Sequence, residues 1–212
     1  MKKIHKTVLS LFLLAFAGTL QSNAQIITGK ERFIGNYPWK ATLSVNMMDL
    51  NFNADESPEG ASMVSMFVPS KLAIAREIGA NFSVEMSFSM NQAKIGDYSN
   101  GELLDNDVDV ITGDVSAIYS LGGGFKIPYV DPYLKAGVGY LGYDNQNLTA
   151  VSGGAGLNFY LVDFGIGKDY RYPSEKWYSR FGINVEAVYR ENITNDNAGT
   201  HMQYSAGVFY LF

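Results

Sequence analysis

The chain contains no cysteine, which excludes a disulfide framework and also a lipid anchor, since that anchor needs a cysteine at the cleavage site. Histidine is nearly absent, with His5 and His201 the two present, so acid–base and metal chemistry have few groups to draw on. Clustered basic charge is missing too: 16 Lys and Arg stand against 21 Asp and Glu, for a formal net charge of -5. Nucleic acid is bound by clustered basic surface, so it is not expected as a partner. No apolar run reaches the roughly 20 residues that a membrane-spanning helix requires.

What is present begins with Met1-Lys2-Lys3-Ile4-His5-Lys6, an apolar stretch from Val8 to Ala17, and Ser22-Asn23-Ala24 before Gln25. A basic start, a short apolar segment and a small-x-Ala site make residues 1–24 a cleavable signal peptide and 25–212 the mature domain. Removal of Lys2, Lys3 and Lys6 makes the mature chain three charges more negative still. The chain holds 14 Tyr, 13 Phe and 22 Gly, a composition that suits β-structure with many turns.

The dominant period after Ala24 is two. Trp39, Ala41, Leu43, Val45 and Met47 alternate with Lys40, Thr42, Ser44 and Asn46. The pattern returns at Phe82, Val84, Met86, Phe88 and Met90 against Ser83, Glu85, Ser87, Ser89 and Asn91. It returns again at Ile183, Val185, Ala187 and Tyr189 against Gly182, Asn184, Glu186 and Arg190, and at Met202 to Phe212 against His201, Gln203, Ser205 and Gly207. Weaker runs around Val115, Leu134 and Val151 fill the intervals, and Lys71 to Ile78 is strand-like without an assignable face.

One such run suits a half-buried strand of a soluble sandwich. Eight of them, several near the 9 to 11 residues of a tilted spanning strand, suit a membrane barrel. Trp39, Phe82, Tyr140, Tyr189, Tyr204 and Phe212 fall near the ends of apolar faces, where such barrels carry aromatic girdles. The expected fold is therefore all-β: a transmembrane antiparallel up-and-down barrel of about eight strands, apolar face outward. Segments 49–70 and 95–109 read as long acidic loops and Ile78 to Asn81 as a tight turn, which places both termini in the periplasm. Residues 162–177 are too long for a turn on that side and leave ten strands as the alternative to eight.

The inward face collects Lys40, Glu85, Asp114, Lys135, Arg180, Glu186 and Arg190. Eight strands leave an interior that side chains fill, so these charges must pair or be hydrated. Parity makes them a plug-like network, with Asp114 and Lys135 on neighbouring strands as one pair. Gly137, Gly139, Gly154, Gly156 and Gly182 also face inward. They either thin the lumen, which favours a narrow pore for ions or small solutes, or let strands bend and large neighbours pack.

Catalytic readings are weak. His201 and Ser205 share a strand face but lie about 13 Å apart by strand rise, beyond hydrogen-bond reach. Asp105, Asp107 and Asp109 lack the full ligand series of a calcium loop and read as a solvated surface. Gly122-Gly123-Gly124 is a turn, with no helix or Lys-Ser/Thr behind it to make a phosphate cradle. No enzyme activity, cofactor or bound metal is expected.

Several runs carry a resemblance: Tyr37-Pro38-Trp39 through Val45-Asn46-Met47-Met48-Asp49, Val68-Pro69-Ser70-Lys71-Leu72, Asp131-Pro132-Tyr133-Leu134-Lys135-Ala136-Gly137-Val138-Gly139-Tyr140, and Gly153-Gly154-Ala155-Gly156-Leu157-Asn158-Phe159. Their order and spacing resemble OmpA-like outer-membrane β-barrel proteins, those of Bacteroidetes-type bacteria in particular, over nearly the whole mature chain. The resemblance implies a monomer in outer-membrane lipid with a structural or surface-interaction role. Tyr204, Val208, Tyr210 and Phe212 look like the family's C-terminal assembly signal, which implies insertion by the barrel-assembly machinery. Many members continue into a peptidoglycan-binding domain, whereas a barrel domain alone is expected here.

Overall fold

The computed structural model describes residues 39–50, 63–66, 68–78, 81–99, 102–121, 130–143, 146–160, 181–194 and 200–212. The expected signal peptide, the glycine run 122–124, residues 162–177 and Arg180 lie outside them.

Among the described residues eleven strands form: β1 (Trp39–Asp49), β2 (Met63–Ser65), β3 (Lys71–Glu77), β4 (Phe82–Ala93), β5 (Tyr98–Ser99), β6 (Glu102–Leu103), β7 (Val108–Ser120), β8 (Val130–Tyr143), β9 (Gln146–Tyr160), β10 (Phe181–Asn192) and β11 (His201–Leu211). Eight of them make the wall, in the order β1-β3-β4-β7-β8-β9-β10-β11 with every pairing antiparallel. The ring closes where β1 pairs with β11, from Lys40 opposite Leu211 to Asp49 opposite Met202. At the rim, Trp39 and Phe212 exchange backbone hydrogen bonds of 3.0 and 2.9 Å. Closure leaves no open edge, and among these eight strands every ladder has a partner.

Because β9 pairs directly with β10, no further hairpin enters the wall between them, and the count is eight rather than ten. The connections do not simply alternate long and short. Tyr143 pairs with Gln146, so two residues, Asp144 and Asn145, suffice on the side that was expected to carry long loops.

The pleat sorts side chains as period two requires. In β1 and β4 alternate residues are buried and exposed along nearly the whole strand. Val138 on the outer face is 57% exposed, while Val110 on the inner face is fully buried. The face of β3 also becomes clear: Leu72, Ile74 and Arg76 point out, and Lys71, Ala73 and Ala75 point in.

Part of segment 49–70 belongs to the wall. Short β2 pairs with Met47 to Asp49 and continues the line of β3 along the same edge of β1. Between them the pairing with β1 is interrupted from Ser65 to Lys71, and the Ser70 amide returns to the Ser44 carbonyl at 3.0 Å; Pro69 lies in this gap, where its ring nitrogen cannot donate to a ladder.

Candidate functional site in the barrel lumen

The interior is stacked in three levels. The middle level centres on Glu186 of β10, one oxygen of which takes the Lys71 ammonium of β3. That same oxygen accepts the Ser205 hydroxyl at 3.2 Å. The other oxygen accepts the Tyr133 hydroxyl at 2.9 Å and lies 3.5 Å from Lys135 Nζ. Lys135 in turn donates to Glu85 Oε1 at 2.6 Å. Asn184 donates to the Tyr133 oxygen and to Asn158 Oδ1, both at 2.9 Å. Strands β3, β4, β8, β9, β10 and β11 are thereby tied together across the lumen.

A second group lies nearer the β10–β11 connection. Arg190 grips Asp114 through Nη2 at 2.6 Å and Nε at 3.3 Å, and reaches the Gln203 side-chain oxygen with Nη1. Gln203 passes the chain on to Asn46 Oδ1 at 2.7 Å and Ser89 Oγ at 3.0 Å, and Ser89 meets Thr112 at 2.6 Å. Two-pronged guanidinium binding is the geometry that best compensates a buried carboxylate.

Most of the charges that parity assigned to the lumen are there, but their partners differ from the expected ones. Asp114 does not meet Lys135. In the β7–β8 register Asp114 faces Gly139 and Lys135 faces Ile118, an offset of four residues or about 14 Å along the strand. Same-face parity is thus satisfied while contact is not. Asp114 goes instead to Arg190, and Lys135 to Glu85 and Glu186.

Lys71 belongs to the network and was missed because Ala73 and Ala75 share its face, which makes both faces of β3 look apolar. The signal was available in Leu72 and Ile74, whose outward parity forces Lys71 inward. Lys40 sits apart from the ion pairs, donating to Asn158 Oδ1 at 3.4 Å with its ammonium 5.5 Å from the Tyr133 ring and 5.7 Å from that of Phe209.

Above and below, the polar level is flanked by buried apolar side chains. Toward the β8–β9 turn, Met48, Leu50, Val64, Ala93, Val108, Val110, Leu141 and Leu148 form a buried apolar roof, with Leu104 and Tyr143 packed against it. At the other end Tyr160 meets Phe209 edge-on at 5.4 Å, and Tyr133 and Leu211 are buried beside them. The inward glycines serve this floor. A methyl group at Gly156 would overlap the Tyr133 ring, and one at Gly182 the Phe209 ring. Gly139 likewise leaves room for the Asp114 carboxylate. The space these glycines free is occupied by neighbouring atoms.

The Ser–His reading finds no support in the contacts. Ser205 gives its hydroxyl to Glu186, while His201 is buried opposite Arg190 in the β10–β11 register. In segment 95–109 three carboxylates bond to the chain itself: Asp97 accepts from the Lys94 amide at 2.8 Å, Asp107 from the Ile95 amide at 2.9 Å and Asp109, at the start of β7, from Gln92 at 3.2 Å. No group of three or more metal-ligating side chains occurs among the described residues. Tyr204, Val208, Tyr210 and Phe212 all lie on the outer face at the β11 end of the seam, with Val208 and Phe212 well exposed.

A closed eight-stranded antiparallel ring with an apolar exterior and a polar, ion-paired interior is the architecture of small outer-membrane barrels. Solved structures agree. The chain is similar to Neisserial surface protein A at 14% identity, covering 83% of this chain and 97% of that one, with a TM-score of 0.52. It is similar to the outer membrane protein OprG from Pseudomonas aeruginosa at 12% identity, over 85% of this chain and 98% of that one, also at 0.52. Outer membrane protein AlkL, determined in lipid bilayers, matches at 16% identity over 84% and 90% of the two chains with a TM-score of 0.50. Likeness at these identities establishes the fold. No protein-family model matches the chain, and no curated protein does.

Proposed function

We propose that the protein is an integral outer-membrane barrel of OmpA-like type with a structural or surface-interaction role in the envelope. The observation that carries this reading is a lumen filled by paired charges and closed by apolar side chains at both ends. A wall so filled is a rigid membrane anchor for its connections, and the acidic segment between β4 and β7 is the surface it presents. The narrow-pore alternative rested on the inward glycines, and Tyr133, Phe209 and Asp114 occupying their space weigh against it. A non-enzymatic role is part of the proposal, supported by the engagement of the Ser205 hydroxyl with Glu186.

The outward faces of the eight strands, including Leu43, Leu72, Phe88, Val115, Leu134 and Val208, suit contact with lipid chains. The terminal residues Tyr204, Val208, Tyr210 and Phe212 suit recognition by the barrel-assembly machinery, and a single closed ring suits a monomer.

Fractionation of expressing cells tests the location and orientation together. The protein is expected in the outer-membrane fraction, migrating faster unheated than boiled. Protease added to intact cells should cut within 94–107 while an epitope at the C-terminus stays protected. Recovery in a soluble or inner-membrane fraction, or a C-terminus cut from outside, contradicts the proposal.

A further inference from the structure

Five basic residues lie in the described barrel strands, and four of them, Lys40, Lys71, Lys135 and Arg190, point into the lumen. Arg76 alone points outward, on the face it shares with exposed Leu72 and Ile74. It pairs across the ladder with Trp39, and its guanidinium stacks over the indole at 5.2 Å. Among the described residues that guanidinium makes no ion pair and stacks on the indole.

The surroundings are not those of an ordinary solvated arginine. Trp39 stacks on Phe212 at 6.4 Å, Phe212 on Tyr210 at 6.3 Å, and Tyr210 meets Phe181 at 4.9 Å. The result is an aromatic ledge running across β10, β11 and β1 to the guanidinium on β3. Aromatic ledges of this kind lie at the headgroup level of a bilayer, where acyl chains give way to phosphate. Carboxylates on the outer face, Asp109 and Glu191, stand at the opposite rim. Along the described wall strands, the outer face thus carries one cation, at the terminus rim, and carboxylates at the opposite rim.

We propose that Arg76 and the Trp39 ledge form a binding site for the phosphodiester of an anionic phospholipid in the leaflet at the terminus rim. Arg76 supplies a planar fork that matches two phosphate oxygens, and Trp39 holds the fork flat so that its free edge faces the headgroup layer. The aromatic ledge lies along the glycerol and upper acyl carbons. The inference rests on the outer-membrane reading above.

The test is lipid retention. The full chain is refolded into mixed bilayers of phosphatidylglycerol and phosphatidylcholine, extracted gently, and its bound lipids are counted by native mass spectrometry. Insertion is checked separately by heat-modifiable migration. The protein should retain phosphatidylglycerol about fivefold over phosphatidylcholine, as expected for one interfacial cation. Arg76→Gln should lose that preference while still inserting, since the side chain faces outward. Arg76→Lys should keep part of it through charge alone.

Equal retention of both lipids, or an Arg76→Gln variant indistinguishable from the parent, overturns the site. Displacement of the lipid by inorganic phosphate at matched concentration overturns the lipid assignment in favour of a soluble anion. Failure to insert into either bilayer overturns the membrane reading itself, an outcome that the migration check tells apart from the others.

Discussion

Glu186→Gln is expected to destabilise the folded barrel by about 3–5 kcal/mol, the cost of leaving a buried ion pair with one partner. Glutamine keeps the shape, and its one side-chain oxygen can still accept from either Tyr133 or Ser205, so packing changes little. What it removes is the charge that faces Lys71 and Lys135 in a space both lysines share. Lys135 retains Glu85 at 2.6 Å, but Lys71 has no second carboxylate in the network. Glu85→Gln is the matched control and should cost less, because Lys135 then still has Glu186. Unfolding in urea with refolded protein, followed by the heat-modifiable band, measures both. A Glu186→Gln midpoint no lower than that of Glu85→Gln would show that the centre of the network is misplaced. Replacing Lys71 by Met together with Glu186 by Leu should recover much of the loss, since an apolar pair of similar volume often substitutes for a buried ion pair.

The second large effect concerns Asp114. Arg190→Met should cost several kcal/mol by stranding a carboxylate that is almost wholly buried, and Asp114→Asn should cost a comparable amount by stranding the guanidinium. A double-mutant cycle between the two should give a coupling of about 2–3 kcal/mol. The same cycle between Asp114 and Lys135 should give no more than about 0.5 kcal/mol, because the register holds them four residues apart. Strong coupling in the second cycle and none in the first would reverse the pairing described here.

The exterior of this barrel was legible from the chain because one face of a spanning strand meets a uniform solvent. Leu43, Met86, Val115, Val138 and Val208 all needed to be apolar, and alternation reported them directly. The interior obeys no such uniform rule. Val64, Val110, Leu141 and Leu148 face inward yet are as apolar as their outward neighbours, so the roof blurred the alternation at the strand ends where it sits. Small residues did the same in β3, where Ala73 and Ala75 hid the inward parity of Lys71.

Pairing inside the lumen was less legible still, for a geometric reason. Parity fixes the face of a residue but not its height, and partners in a filled barrel meet across its diameter. Arg190 and Asp114 belong to strands separated by two others in the wall, so no neighbour rule along the chain links them. The inward glycines were ambiguous in the chain for a related reason. Whether a missing side chain leaves a void or a seat depends on what crosses the lumen to fill it, and here Tyr133 and Phe209 do.

Single-channel recording across a planar bilayer tests the central claim, a lumen filled and sealed, most directly. Refolded protein, with insertion verified by its heat-modifiable migration, should leave the membrane at its baseline conductance without stepwise openings. Reproducible unitary openings that vanish when the lumen is blocked would contradict the sealed barrel and make it a pore.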